Sequence, residues 1–362
     1  MKLFQRLLVA PAALGLLAPV VANATELNLN AITGYSQEKL DLDSNSFKSH
    51  SVENSLLLSG GEGLVETSEE SSVEAFSETT SASFGSTFYV GAVSESAAEA
   101  VTFSYDFGMD LSTSFTGEDS FDVAIIGGNA AGTTVDGYMG GDNTGDHLDL
   151  DGVSYTFPLG GATVIVGDGV GVDDMNTGAC AYGAFTDLLG DCGTSNVGGT
   201  ADSAIAVGYD FGNGLTIAGG VGGGPGTDGF FTAQDASTIG VEVAYTADTY
   251  GLSLSYTDDE ALEYISFQGM VAPEGFPSIS VGYETEDSTD AASYFAGLTF
   301  DEVGPGSVSL GYAEVLTGTN SQYELSYSYP LNDGVTITPG IFVAETAADD
   351  ETGVVVTTSF SF

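Results

Sequence analysis

Tryptophan is absent from this 362-residue chain, histidine and cysteine each occur twice, and lysine and arginine together occur four times. Each scarcity excludes something. A nucleic-acid binder needs a basic footprint to neutralise phosphates, and from Ser49 to Phe362 there is no Lys or Arg. Two histidines, His50 and His147, are a thin supply of general bases, and no P-loop, nucleophile elbow or HExxH motif occurs. No catalytic residue is assigned. Past the N-terminus no apolar run is long enough for a membrane helix, so any membrane insertion must use strands.

What is present points to strands. The 52 acidic residues give a formal charge of −48, yet 42% of the chain is hydrophobic and 10% aromatic, with 17 Tyr and 21 Phe. Disordered acidic tails lack such apolar content. The 51 glycines disfavour a helical protein, since each costs about 1 kcal/mol in a helix relative to Ala.

The first 24 residues read as a signal peptide. Lys2 and Arg6 precede an apolar stretch, Leu7 to Val21, which Pro11 and Pro19 interrupt, and Ala22-Asn23-Ala24 supplies small residues for cleavage. Losing Lys2 and Arg6 takes the charge to −50. Residues 25–83 are polar and acidic, as in Glu66-Thr67-Ser68-Glu69-Glu70-Ser71-Ser72, and read as an extension ahead of a barrel spanning 84–362. Export places the chain in an oxidising compartment, where Cys180 and Cys192 are expected to pair across a Gly- and Asp-rich loop. The nearby Asp173, Asp174, Asp187 and Asp191 lack metal-ligand spacing.

Beyond residue 84 the period is two. Val101, Phe103, Tyr105, Phe107, Met109 and Leu111 alternate with polar residues or glycine. A second regularity ends apolar stripes on tyrosine: Ile205/Val207/Tyr209, Val241/Val243/Tyr245, Leu252/Leu254/Tyr256, Ile279/Val281/Tyr283 and Val308/Leu310/Tyr312, with Tyr323/Leu325/Tyr327 as a variant. A soluble sandwich has no use for an aromatic edge on its buried face. A membrane barrel does, because aromatics gather at the interfaces and the lumen face is polar or small. The expected fold is therefore all-β: a transmembrane antiparallel barrel of about 16 strands. Tyr209, Tyr245, Tyr256, Tyr283, Tyr312 and Tyr327 are expected at the membrane interfaces. Asp106, Asp110, Asp122, Glu242, Glu284 and Glu324 then line the pore, since carboxylates facing lipid would cost several kcal/mol each. The loop between the cysteines is a candidate for folding inward and narrowing the barrel. Val354, Val356, Thr358, Phe360 and Phe362 share one face, and Phe360 and Phe362 read as a C-terminal insertion signal.

His147, with Asp146, Asp149 and Asp151 nearby, reads as a solvated histidine, and the single Gly140–Asp146 segment is a weak match to a calcium turn. No metal site or cofactor is assigned, although divalent cations at acidic loops are conceivable. A secreted acidic surface-layer or adhesin-like β-protein, its carboxylates screened by divalent cations, is the alternative.

Several segments resemble cyanobacterial outer-membrane porins of the carbohydrate-selective OprB type. They are Met1-Lys2-Leu3-Phe4-Gln5 onward to Glu26-Leu27-Asn28-Leu29-Asn30, Phe76-Ser77-Glu78-Thr79-Thr80 leading to Phe88-Tyr89-Val90-Gly91-Ala92, Thr113-Ser114-Phe115-Thr116-Gly117-Glu118-Asp119, and Tyr329-Pro330-Leu331-Asn332-Asp333-Gly334-Val335-Thr336-Ile337-Thr338-Pro339-Gly340. The S-layer-homology domain and coiled coil usual before such barrels are missing. So is the Arg-rich strand after the Thr-Ser-Phe-Thr-Gly motif. The resemblance implies an outer-membrane location, contact with lipid and the outer-membrane assembly machinery, and passive diffusion of carbohydrates, other small hydrophilic solutes or ions. Trimers are common among porins, so a homotrimer is one expected assembly. The preponderance of carboxylates implies a preference for cations.

Overall fold

A computed structural model describes residues 80–94, 100–130, 133–194, 203–224, 237–287, 291–315, 320–345 and 350–362. The expected signal peptide, His50 and all of the acidic segment before Thr80 lie outside the described residues.

Sixteen antiparallel strands close into a barrel in which each strand pairs with its chain neighbours and β1 pairs with β16. They are β1 (Thr80–Val93), β2 (Thr102–Thr113), β3 (Ser120–Asn129), β4 (Asn143–Leu159), β5 (Ala162–Asp168), β6 (Ser203–Asp210), β7 (Leu215–Gly223) and β8 (Ser237–Ala247). The second half comprises β9 (Tyr250–Asp258), β10 (Glu263–Val271), β11 (Ser278–Glu286), β12 (Ala291–Val303), β13 (Gly306–Val315), β14 (Asn320–Asn332), β15 (Val335–Glu345) and β16 (Asp350–Ser361). Strand β1 starts at Thr80, four residues ahead of the boundary expected from sequence. The antiparallel barrel and its strand number agree with the alternating pattern.

One end of the barrel carries only tight connections, from two to six residues long. Their chemistry is local. Asp210 Oδ1 accepts from Gly212 N at 2.7 Å, and Gly212 and Gly214 hold φ of 75° and 86°. In the 114–119 turn, Asp119 Oδ1 accepts from Ser114 Oγ, Phe115 N and Thr116 N, while Oδ2 accepts from the Tyr155 hydroxyl at 2.6 Å. The other end bears the longer excursions. Between β3 and β4 lies a short helix, α1 (Thr134–Met139), with a capping box between Thr133 and Asp136 and a left-handed Gly140 at its end. Between β5 and β6 lies the cysteine-bearing loop.

The polarity of the wall is inverted relative to a soluble protein. Outward positions carry Val241 (49% exposed), Leu254 (57%), Ile265 (49%) and Leu310 (45%). Their inward neighbours are Glu242, Ser255, Ser266 and Ser309, all buried. Burying one Leu or Ile is worth about 1.5–3 kcal/mol, so a surface with this many exposed aliphatics calls for an apolar surrounding. The tyrosine-ended stripes all lie on this outer face and form two belts. Tyr209, Tyr245 and Tyr327 stand near the tight-turn end, whereas Tyr256, Tyr283 and Tyr312 stand near the loop end. Tyr283 pairs with Tyr294 and Tyr312 with Tyr323 across adjacent strands, at 5.2 and 4.6 Å between ring centroids. At the seam, Phe362 stacks on Phe84 and Phe360 meets Phe88 edge-on, both at 5.5 Å.

Candidate functional site

The loop that follows β5 turns into the lumen and follows its wall. Val172 lies over Gly220 and Gly240, on β7 and β8. Farther along, Tyr182 rests on Gly297 and Gly311, and Phe185 on Gly340. The second leg returns over β11, with the Cys192 carbonyl against Gly282. A methyl group at Gly220, Gly282, Gly297, Gly311 or Gly340 would overlap the loop. Glycine at these inward slots leaves a trough in which the loop sits.

The strand register explains why the trough is continuous. Gly282, Phe295, Ala313 and Gln322 are direct neighbours across β11 to β14, and Ser280, Gly297, Gly311, Glu324 and Phe342 form the adjoining row from β11 to β15. The loop lies on these two rows. Leu189 and Cys192, both without solvent exposure, pack with Tyr182, Phe295 and Ala313. Cys180 and Cys192 form a disulfide that closes the loop into a ring. A 3-10 segment, Asp187–Gly193, forms part of it, and Asp191 and Cys192 take left-handed φ of 46° and 54° there.

Polar groups of the wall hold the loop at named points. Glu242 accepts from Thr177 N at 2.6 Å, Gly178 N at 3.1 Å and Ser255 Oγ at 3.2 Å. Gln268 accepts from Ala179 N at 2.7 Å and donates to the Asp191 carbonyl and Thr194 Oγ1, both at 2.8 Å. Ser280 Oγ accepts from Ala181 N. Glu324 takes four bonds: Tyr182 hydroxyl at 2.8 Å, Phe185 N at 2.8 Å, Thr186 N at 2.9 Å and the Thr186 hydroxyl. Gln322 donates to the same hydroxyl. Four donors satisfy a carboxylate that is only 2% exposed and would otherwise be costly to bury. Burial, reinforced by the Glu324 charge, pushes the Tyr182 phenol far above the ordinary tyrosine range, so it remains a donor.

Helix α1 packs on the inner face of β1, β15 and β16, against the loop. Its Val135, Tyr138 and Met139 join Tyr89, Val93, Phe342, Val355 and the loop's Phe185 in one apolar cluster. The Tyr138 hydroxyl donates to Glu351 at 2.7 Å, and Asp136 accepts from Ser104 Oγ. Sequence reading did not find α1's role, nor the glycine trough. The signal for the trough was glycine recurring in the polar slots of alternating strands.

The six acids expected to line the pore divide into two groups. Asp106, Asp110 and Asp122 lie on the inner face of β2 and β3, a part of the wall where the loop makes no hydrogen bond among those described. Asp110 is exposed, while Asp106 accepts from Thr87 N at 2.9 Å and from the Tyr89 hydroxyl. Glu242, Glu284 and Glu324 also point inward but are buried, and two of them hold the loop. The loop adds exposed carboxylates of its own: Asp174, Asp187 and Asp191, with Asp173 half-buried beside them. Burial, with the neighbouring Asp191 charge, raises the Asp173 carboxyl above the usual range. Burial and the Asp173 charge do the same for Asp174. Asp142, just ahead of β4, is raised by burial and by the charges of Asp106 and Asp151. A polar cavity of about 290 Å³ opens between the loop and β8–β10, lined among others by Asp173, Asp191, Glu242, Ser255 and Gln268. His147 lies exposed on β4, apart from these groups.

No family model and no curated protein matches this sequence. Solved structures do match. Against Pseudomonas putida OprB the TM-score is 0.60 at 12% identity, over 78% of this chain and 94% of that one. Two mutants of the Rh. blastica porin give 0.56 at 13% and 14% identity, over 78% of this chain and 100% of theirs. The fold is thus the porin-type sixteen-stranded barrel.

Proposed function

We propose that this chain is an outer-membrane porin, a water-filled channel through which small hydrophilic solutes and ions diffuse passively, with a preference for cations. One observation carries the reading: an apolar outer wall encloses a polar lumen, narrowed by an inward loop, with carboxylates on both wall and loop and no Lys or Arg among the described residues. A short-turn end and a long-loop end correspond to periplasmic and outer faces in proteins of this architecture. Aspartates within the lumen raise the local cation concentration and repel anions. At 1 M salt the Debye length is about 3 Å, so only charges at the narrowing discriminate there. Carbohydrates, implied by the resemblance to OprB-type porins, would pass according to size. Lipid, the outer-membrane assembly machinery and two further copies of the chain are the partners that go with this reading. The surface-layer alternative would bury the outer Val, Leu and Tyr stripes between sheets, whereas here they lie outside a closed barrel.

The test is reconstitution of the mature protein in a planar bilayer. The expected result is discrete conductance steps with a cation-signed zero-current potential in a KCl gradient. Folded protein without conductance would overturn the channel, and an anion-signed potential would overturn the cation preference. Swelling of protein-loaded liposomes in sugar solutions tests carbohydrate passage.

A further inference from the structure

Two of the wall carboxylates are spent before they can meet a permeating ion. Glu324 bonds to residues 182, 185 and 186, all inside the disulfide-closed ring, and Glu242 bonds to residues 177 and 178 on the limb that leads into it. They thus hold the loop at two places along its path. Both are almost wholly buried, at 2% and 3% exposure, so their charge is covered by the loop. Apolar contact alone would leave the backbone amides of 177, 178, 185 and 186 to seek water. The two carboxylates answer them in place. The glycine trough makes this reach possible, because a side chain at Gly311 would push away Tyr182 and Leu189.

We propose that Glu324 and Glu242 set the size cut-off of the channel as positioning residues, holding the loop in the lumen and presenting no charge to the solute. Selectivity for charge falls to the exposed aspartates, and selectivity for size to these buried anchors. This inference rests on the channel reading above. Of the two, Glu324 has the larger effect, since it takes more bonds and holds the ring itself.

Single-channel conductance and exclusion of polyethylene glycols of graded size test the inference, with wild type, E324A, E324Q and G311V compared. Folding is checked by heat-modifiable mobility on gels. E324A is expected to raise conductance roughly twofold and admit larger polymers. E324Q keeps one acceptor oxygen and should fall between wild type and E324A. G311V displaces the loop without removing a charge and should reproduce the larger cut-off. If E324A fails to fold, E324Q and G311V decide. Wild-type conductance and cut-off in folded E324Q and G311V would overturn the anchoring role. So would a change of zero-current potential in E324Q with conductance and cut-off unaltered, because that is the signature of a pore-lining charge. A wild-type protein that never conducts would instead overturn the channel reading.

Discussion

Replacing both cysteines, in C180A/C192A, should loosen the loop and leave the barrel intact. The bridge joins residues 12 apart in sequence. In the chain-entropy treatment a ring of that length restrains the undocked loop by about 3 kcal/mol. Nothing in the strand ladder depends on it, since each strand pairs with its neighbours. The whole of that free energy should therefore appear in loop docking. At about 1.36 kcal/mol per tenfold, the undocked population rises about a hundredfold. The amides to watch are Phe185 and Thr186, which donate to Glu324, and Ala179, which donates to Gln268. Hydrogen–deuterium exchange in detergent or vesicles, read peptide by peptide, should show these exchanging about a hundredfold faster than in wild type. Peptides from β12–β14 should be unchanged. Equal acceleration of loop and strands would refute the reasoning, for the disulfide would then stabilise the barrel itself. An unaltered loop would show that docking owes nothing to the bridge.

Three further outcomes follow from the geometry. The chain has no tryptophan, so L254W supplies a clean reporter: blue-shifted emission quenched by brominated lipid is expected, while L254R should cost about 2–4 kcal/mol if the site lies near the bilayer midplane. Water-quenched emission from L254W would place that face outside lipid. Asp119 is held below the usual carboxylate range, first by the Tyr155 hydroxyl and then by turn amides. A lowered folded pKa contributes stability that is complete above the unfolded value, about 3.9, and is lost as pH falls below it. D119N should therefore unfold more readily than wild type at neutral pH, and the difference should shrink on acidification. The pH dependence of denaturation measures it. Asp173 and Asp174 are raised by burial and by neighbouring charge. On acidification they should neutralise before ordinary aspartates, so the proposed cation preference should begin to fall above the usual carboxylate pKa. D173N/D174N should flatten that part of the zero-current potential profile.

The wall was legible from the sequence because a strand's period of two writes each face separately. Val241, Val243 and Tyr245 had to share a face, and the intervening Glu242 could not be put in lipid. That reasoning fixes direction but carries no information about what lies opposite. Glu242 and Glu324 do point inward, yet their fate depends on a loop some 65 to 142 residues away in the chain. The pairing of Cys180 with Cys192 was readable from proximity. The path of the loop was not, since it follows from glycines on six different strands, each unremarkable in its own segment. The role of α1 was equally hidden. A six-residue helix has too short a pattern to announce itself, and its apolar contacts come from β1, β15, β16 and the loop.

The seam between β1 and β16 has a kinetic consequence. Every other strand pair joins chain neighbours, but Phe84 and Phe362, which exchange backbone hydrogen bonds at 2.8 and 3.0 Å, are 278 residues apart. Closing a segment that long costs about 5 kcal/mol in chain entropy beyond the constant common to all loops. Until that pairing forms, the growing sheet exposes two unpaired edges and an apolar outer face to any neighbouring chain. The Phe84–Phe362 and Phe88–Phe360 contacts first appear in that same event. Closure is thus expected to come late in assembly, and a shortened β16 should favour aggregation over an open but otherwise native barrel.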